Sequence, residues 1–311
     1  MSALITVFAE IAFLILLGFL LRKKRVIDER GQQCLTGILM SAVLPFSILS
    51  SSQQEYSLVF LKAVLAVAGA AICFYIGSLL LMNIILSKKK FDWKERVVMI
   101  MSSVFANTGF VGFPLMKTLF GAPGLLLASV YNLIFNIFFY TYGMHSFSGG
   151  KTNAKQAIFN PVTIASVVSL ILFMIPWRFP GVVTNAIDLV GGMTVPLSMI
   201  IVGSTLATVE IKKVFSDSKS YIVSALRLVV FPLIMCAAVL VIRRFFYMMP
   251  VTATTIVLMT ALPCASMNVI LSERYDCAPK FCARTFVLSF ALMAITMPLM
   301  MMLCMYFFPA T

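Results

Sequence analysis

The residues best suited to chemistry are gathered in one stretch, Phe105-Ala106-Asn107-Thr108-Gly109-Phe110-Val111-Gly112-Phe113-Pro114. Two glycines and a proline, from Gly109 to Pro114, interrupt an otherwise apolar helical run. Pro114 brings no backbone donor, and its ring crowds the carbonyl of Phe110. Gly109 and Gly112 let the backbone open or approach a neighbour closely. Asn107 and Thr108 bring an amide and a hydroxyl to the same place. A second stretch, Ala261-Leu262-Pro263-Cys264-Ala265-Ser266-Met267-Asn268, is built alike, with Pro263 as the breaker and Cys264, Ser266 and Asn268 beside it. An interrupted helix leaves N–H groups at the start of the next half-helix, together with the positive end of its dipole. Such an end holds an anion without a full positive charge beside it. Neither stretch contains Lys, Arg or His, and amides, hydroxyls and helix ends suit a small organic anion or zwitterion. The competing reading is two kinked helices in close packing, with no ligand.

Further polar residues stand in apolar surroundings. Asn132 and Asn136 are four apart, so they share one helix face. They either complete the site or hydrogen-bond between helices. Pro45 with Ser47, and Pro196 with Ser198, read as kink and packing positions. Intramembrane ionisable groups are functional candidates by default. Glu10 is either a proton-linked coupling carboxylate, a group facing an outer vestibule, or a partner of a base such as Lys62. Arg227 lies within an apolar run, and Asp188 lies near the end of another. The seven cysteines show no metal spacing or disulfide framework. The chain is therefore expected to use no cofactor and no metal.

The elements that carry these residues follow from composition. Of 311 residues 61% are hydrophobic and only 11% are charged, and the mean hydropathy is +1.03. A soluble domain has roughly 45–50% apolar and about 25% charged residues. The excess must face lipid. Apolar runs bounded by charges or turn residues predict ten spans: Leu4–Leu21, Cys34–Ser51, Ser57–Leu86, Arg96–Leu119 and Gly124–His145, then Ile158–Ile175, Val182–Thr208, Ser220–Phe246, Val251–Leu271 and Cys282–Phe308. At about 20 residues per span, roughly ten residues remain for each connection, too few for a folded domain outside the membrane. The net charge of +13 would suggest nucleic acid in a soluble protein. Here most Lys and Arg fall in alternate short connections, among them Arg22-Lys23-Lys24-Arg25, Lys88-Lys89-Lys90, Lys151 with Lys155, and Lys212-Lys213. By the positive-inside rule that side is cytoplasmic and both termini are outside. No nucleic-acid partner is expected.

Five spans, a linker (Ser146–Gln156) and five spans imply two halves of opposite topology, 1–145 and 157–311. Pro-x-Ser recurs in spans two and seven, a base recurs near the start of spans three (Lys62) and eight (Arg227), and the breaks recur in spans four and nine. Inverted repeats with discontinuous helices near the midplane are a common design of secondary transporters.

Asn107-Thr108-Gly109-Phe110-Val111-Gly112-Phe113-Pro114-Leu115 resembles the fourth-helix motif of the auxin efflux carrier family, within the bile acid/auxin carrier-like superfamily. Leu44-Pro45, Phe159-Asn160-Pro161, Pro196-Leu197-Ser198 with Gly203, Leu226-Arg227-Leu228-Val229-Val230-Phe231-Pro232, Ala261-Leu262-Pro263 and Thr296-Met297-Pro298 continue the likeness through the chain. The resemblance implies an all-α fold of ten spans in two inverted repeats. It implies a scaffold of spans one, two, six and seven, a mobile domain of spans three to five and eight to ten, and elevator-like movement. It implies organic anions, often carboxylates, as substrates, and a homodimer through the scaffold. Asn107 and its neighbours Thr108 and Gly109 match the fourth-helix site, and Asn132 and Asn136 fall in the matching fifth helix. Cys264, where an Asn would follow Pro263, departs from the family pattern. The long cytoplasmic loop of many plant members is absent, which points to a compact bacterial-type member.

The leading expectation is a carrier of small organic anions in the cytoplasmic membrane, surrounded by lipid and driven by H+ or Na+ if it is coupled. The alternative is a channel or uniporter-like pore for a small solute. An intramembrane enzyme would need paired carboxylates, a His cluster or a nucleophile set, and one His with no HExxH offers none of these.

Overall fold

Three prolines mark where the helices widen. Pro45, Pro114 and Pro232 each stand two residues after a five-residue π-helical turn, at Leu39–Val43, Thr108–Gly112 and Leu226–Val230. Proline cannot donate to the carbonyl four residues back and its ring pushes that carbonyl aside. Winding the preceding turn more widely takes up both effects without breaking the helix. A fourth such turn, Phe139–Gly143, has no proline behind it.

The computed structural model describes residues 2–53, 57–86, 92–150, 160–175, 177–208, 214 and 217–309, with side chains of the first helix from Ala9 onward. Lys88-Lys89-Lys90, Lys151, Lys155, Phe159, Lys212 and Lys213, and most of the linker, lie outside these residues. The helices are α1 (Ser2–Lys23), α2 (Glu29–Ile38), α3 (Leu44–Ser51), α4 (Leu58–Ile85), α5 (Trp93–Val104), α6 (Phe113–Phe138), α7 (Met144–Phe147) and α8 (Pro161–Met174). They continue with α9 (Gly181–Gly192), α10 (Thr194–Leu206), α11 (Ser218–Ala225), α12 (Phe231–Arg243), α13 (Pro250–Thr260), α14 (Ser266–Arg274) and α15 (Pro279–Phe307). Among the described residues there is no strand, only an isolated antiparallel bridge between Ala106 and Cys264.

Among the described residues six stretches are long and apolar enough to cross a membrane: Glu29–Ser51, Leu58–Ile85, Thr108–Phe147, Gly181–Leu206, Ser218–Arg243 and Pro279–Phe307. Pro161–Met174 and Pro250–Thr260 are shorter apolar helices. The chain is thus an all-helical, multi-pass membrane protein. Thr108–Phe147 is helical in two lengths that meet at Gly121, where φ is +61°. Only glycine adopts that conformation without strain, and Pro123 follows to start the next length. Expected span four, Arg96–Leu119, is interrupted, as α5 stops at Val104.

The chain forms two packed units, each drawn from both halves of the sequence. The first comprises residues 1–62, 109–133 and 158–209, and the second residues 63–108, 134–157 and 210–311. In the first unit, α1 and α10 meet through glycine. A Cβ on Gly18 would collide with the carbonyl of Ile200, and one on Gly203 with the carbonyl of Ile15. Gly191 of α9 likewise lies against the backbone of Ser47 in α3. The Lys117 ammonium donates to Ser47 Oγ at 3.0 Å and to the Gly191 carbonyl at 2.7 Å, tying the start of α6 to α3 and α9. The resemblance groups all of spans four and five with the mobile domain; residues 109–133 instead pack in the first unit, with Lys117 as their polar anchor. Gln32 joins α2 to α10, donating to Thr205 Oγ1 at 3.0 Å and accepting from Ser204 Oγ at 2.7 Å.

The second unit is centred on rings. Tyr75 stacks on Phe105 and Phe138, and Phe135 stacks on Phe139. The first turn of α5 is held by polar links. Arg96 donates to the Leu86 carbonyl at 2.5 Å and to Asn83 Oδ1 at 2.7 Å, while Glu95 pairs with Lys219 at 2.6 Å and Lys94 with Asp276 at 2.7 Å.

Candidate functional site

Two helices of the second unit stop short and meet back to back. α5 ends at Val104, α13 ends at Thr260, and the chain is extended at Phe105–Asn107 and at Pro263–Ala265. The two gaps pair as a minimal antiparallel ladder. The Asn107 N–H donates to the Pro263 carbonyl at 2.8 Å, and the Ala265 N–H donates to the Phe105 carbonyl at 3.0 Å. Pro263 serves here as an acceptor, the one backbone role left to a residue without N–H. Buried backbone groups must be satisfied internally where no water reaches them, and each gap satisfies the other.

The last four carbonyls of a helix have no partner within it. At α5 every one of them has a named donor. Met101 O accepts from the Phe105 N–H at 2.9 Å and from Asn268 Nδ2 at 3.1 Å. Ser102 O accepts from Cys264 Sγ at 3.2 Å. Val104 O and Ser103 O accept from Arg227 Nη1, at 2.8 and 3.3 Å. At α13 the Ala261 N–H reaches Val257 O and Leu258 O, and Arg227 Nη2 reaches Thr260 O at 2.7 Å and Met259 O at 3.5 Å. Arg227 Nε donates to Leu262 O at 2.9 Å. The guanidinium is fully buried, with the Phe74 ring 5.7 Å away. It projects from the π turn Leu226–Val230.

The opposite ends of the breaks are built differently. The N-cap of α14 is Ala265, which has no side chain that could cap the first N–H groups. The C-terminal, negative ends are closed by a cation, and the N-terminal, positive end of α14 carries no side-chain cap.

Of the residues singled out in the sequence, Asn107, Thr108, Pro263, Cys264, Ser266 and Asn268 come together in the second unit at this crossing. Asn107 and Thr108 are buried, and Ser266 is partly exposed. Cys264 takes part as a bridge residue: its N–H donates to Ser289 Oγ at 3.1 Å. Asn268 is fully buried and its amide nitrogen is committed to α5, so part of it acts as helix-to-helix linkage. Gly112 and Pro114 do not stand at the gap. The chain opens at Phe105–Asn107, ahead of Gly109, and Gly109, Gly112 and Pro114 lie in the widened turn that follows and at the start of α6, in the first unit. Asn132 and Asn136 are both buried and one turn apart on α6; the boundary between the units falls between them. Glu10 is exposed on α1, and among the described residues no ion pair joins it to Lys62, which is also exposed. Asp188 accepts from Ser50 Oγ at 2.5 Å.

One participant escaped the sequence reading: Ser289 holds the second gap through Cys264, and nothing in its surroundings in α15 marks it. Arg227 was recognisable as a charge in an apolar span, but its partners are backbone carbonyls, which leave no trace in side-chain spacing.

Paired interrupted helices inside a multi-pass helical protein are the arrangement in which membrane carriers build their sites. Comparison with known proteins gives the family. The chain belongs to the family described as Membrane transport protein, whose profile matches residues 3–156 and 149–301, and this bears out the likeness to auxin efflux carriers. Among similar curated proteins, an uncharacterized transporter of Methanothermobacter thermautotrophicus is 24% identical over 297 residues, covering 93% of this chain and 95% of the relative. An uncharacterized transporter of Methanocaldococcus jannaschii is 24% identical over 303 residues, covering 92% and 95%.

Proposed function

We propose that the protein is a secondary carrier of small organic anions, carboxylates foremost, working by alternating access in the cytoplasmic membrane. The observation that carries this reading is the polarity of the crossing. The negative helix ends are closed by Arg227, while α14 begins behind Ala265 with no side chain to cap it. An anion is the ligand that N–H groups and a positive dipole end favour. In this reading Asn107, Thr108 and Ser266 bind the substrate, with Asn268, Cys264 and Asn136 of the same unit as support. Ten spans in two inverted repeats, termini outside, belong to the same proposal. Its support is the pairing of a break at Phe105–Asn107 with one at Pro263–Ala265, one in each half of the sequence. Elevator movement is supported by the division into two units that each draw on both halves, α1 to α3, most of α6 and α8 to α10 in one, most of α4 with α5, α7 and α11 to α15 in the other.

Counterflow in proteoliposomes tests the reading. Vesicles are preloaded with unlabelled malonate, malate, lactate or indole-3-acetate, and uptake of the labelled acid is followed with and without a pH gradient. A carrier gives saturable uptake that depends on preload. Flux that never depends on preload identifies a pore instead.

A further inference from the structure

Carriers with discontinuous helices use half-helix C-termini and unwound carbonyls to coordinate a coupling cation. The crossing described above has that chemistry. Each C-terminus bears roughly half a negative charge, so two together present about one, concentrated on the carbonyls of Val104 and Thr260 and their neighbours. In this chain a side chain is already there. A guanidinium has five N–H donors and stays charged at any accessible pH. Arg227 directs them at five carbonyl oxygens, those of Ser103, Val104, Met259, Thr260 and Leu262, from inside the same packed unit.

We propose that Arg227 is a covalently attached substitute for a coupling metal cation. It balances the two helix ends permanently, so the crossing stays assembled and binds its anion without Na+ or K+. This rests on the carrier reading for its consequence in transport, but the cation claim itself concerns only the carbonyl cage. The role also explains why an arginine stands here and not a lysine. Five acceptors spread over two helix ends match a planar fork, and an ammonium has three donors on one atom. Removing the side chain leaves a ring of carbonyls of the kind that alkali cations enter.

The test uses the purified full-length protein in detergent, with thermal unfolding followed in choline chloride, NaCl and KCl at equal ionic strength. The wild type is expected to unfold at the same temperature in all three. Arg227→Ala is expected to unfold earlier in choline chloride, and to recover part of the loss in NaCl and with a low concentration of guanidinium that leaves the wild type unchanged. Arg227→Lys is expected to lie between the two proteins and to respond less to Na+ than Arg227→Ala does. A wild type stabilised by Na+ over choline overturns the proposal. So does an Arg227→Ala protein that neither Na+ nor guanidinium improves. Should Arg227→Ala not fold, the wild-type arm and Arg227→Lys decide. Malonate counterflow adds a transport readout: equal rates in Na+ and choline are expected, and a rate lower in choline by roughly 5-fold or more, the scale of an allosteric coupling, contradicts the proposal. Absence of counterflow with every acid counts against the carrier reading and leaves the unfolding result to decide the cation.

Discussion

The backbone N–H of Asn107 donates to the carbonyl of Pro263, so the two interrupted helices are joined through main chain. This main-chain joint yields a prediction. Asn107→Ala keeps the joint, and its unfolding temperature should fall only slightly. Counterflow should drop by at least about tenfold, since loss of one good hydrogen bond to a charged group removes roughly 1.5–3 kcal/mol. Thermal unfolding and counterflow on one preparation check both halves. Unchanged transport removes Asn107 from the site.

Close helix approach in the first unit depends on missing side chains. Gly203→Val places its branched side chain where the Ile15 carbonyl stands, so α1 and α10 must separate. Overpacking of this kind costs about 1–3 kcal/mol and sometimes more. Gly69→Val on α4 meets nothing within 4 Å and serves as the control. Thermal unfolding should show a clear fall for Gly203→Val and little change for Gly69→Val. Equal effects would mean that α1 and α10 are held by something other than this contact.

Lys94, in the first turn of α5, and Asp276, between α14 and α15, pair at 2.7 Å. The hydrogen bond from Lys94 holds the Asp276 carboxyl below its ordinary value of 3.8, and the same bond holds the Lys94 ammonium above 10.5. The signs fix a window. The carboxylate's contribution is present above 3.8 and is lost as pH falls through its lowered value. The ammonium's contribution is present below 10.5 and is lost as pH rises through its raised value. Both groups are exposed, so salt screens the pair. Asp276→Asn should lower the unfolding temperature slightly at pH 7 and low salt, by less as the pH falls below 3.8, and not at all at high salt. An effect that persists at high salt would assign Asp276 a role other than the pair.

What the sequence disclosed and what it hid divide by the kind of partner. Breaks at Pro263 and near Asn107 were legible because proline and a run of small polar residues are incompatible with a continuous apolar helix. The position of the first break was not. Pro114 suggested a gap at Gly109–Pro114, but a widened turn absorbs the proline, as it does before Pro45 and Pro232, and the chain opens at Phe105–Asn107. Residue types do not say whether a helix widens or stops. Asn268 was legible as a polar group at the second break; that its nitrogen reaches back to Met101 depends on where α5 ends. Arg227 was legible as a charge in an apolar span, but its five acceptors were not, since they are carbonyls and any residue supplies a carbonyl.

The central claim is that the crossing is an anion site reached from each side of the membrane in turn. Ser266 opens α14, is partly exposed, and lends itself to a reporter. In a protein with the exposed Cys34 and Cys73 replaced by Ser, Ser266→Cys is treated with a membrane-impermeant thiol reagent from outside or from inside sealed proteoliposomes. The account predicts labelling from both sides, slowed from both by the carboxylate that exchanges in counterflow. Labelling from one side only, or labelling that no transported acid slows, would contradict it.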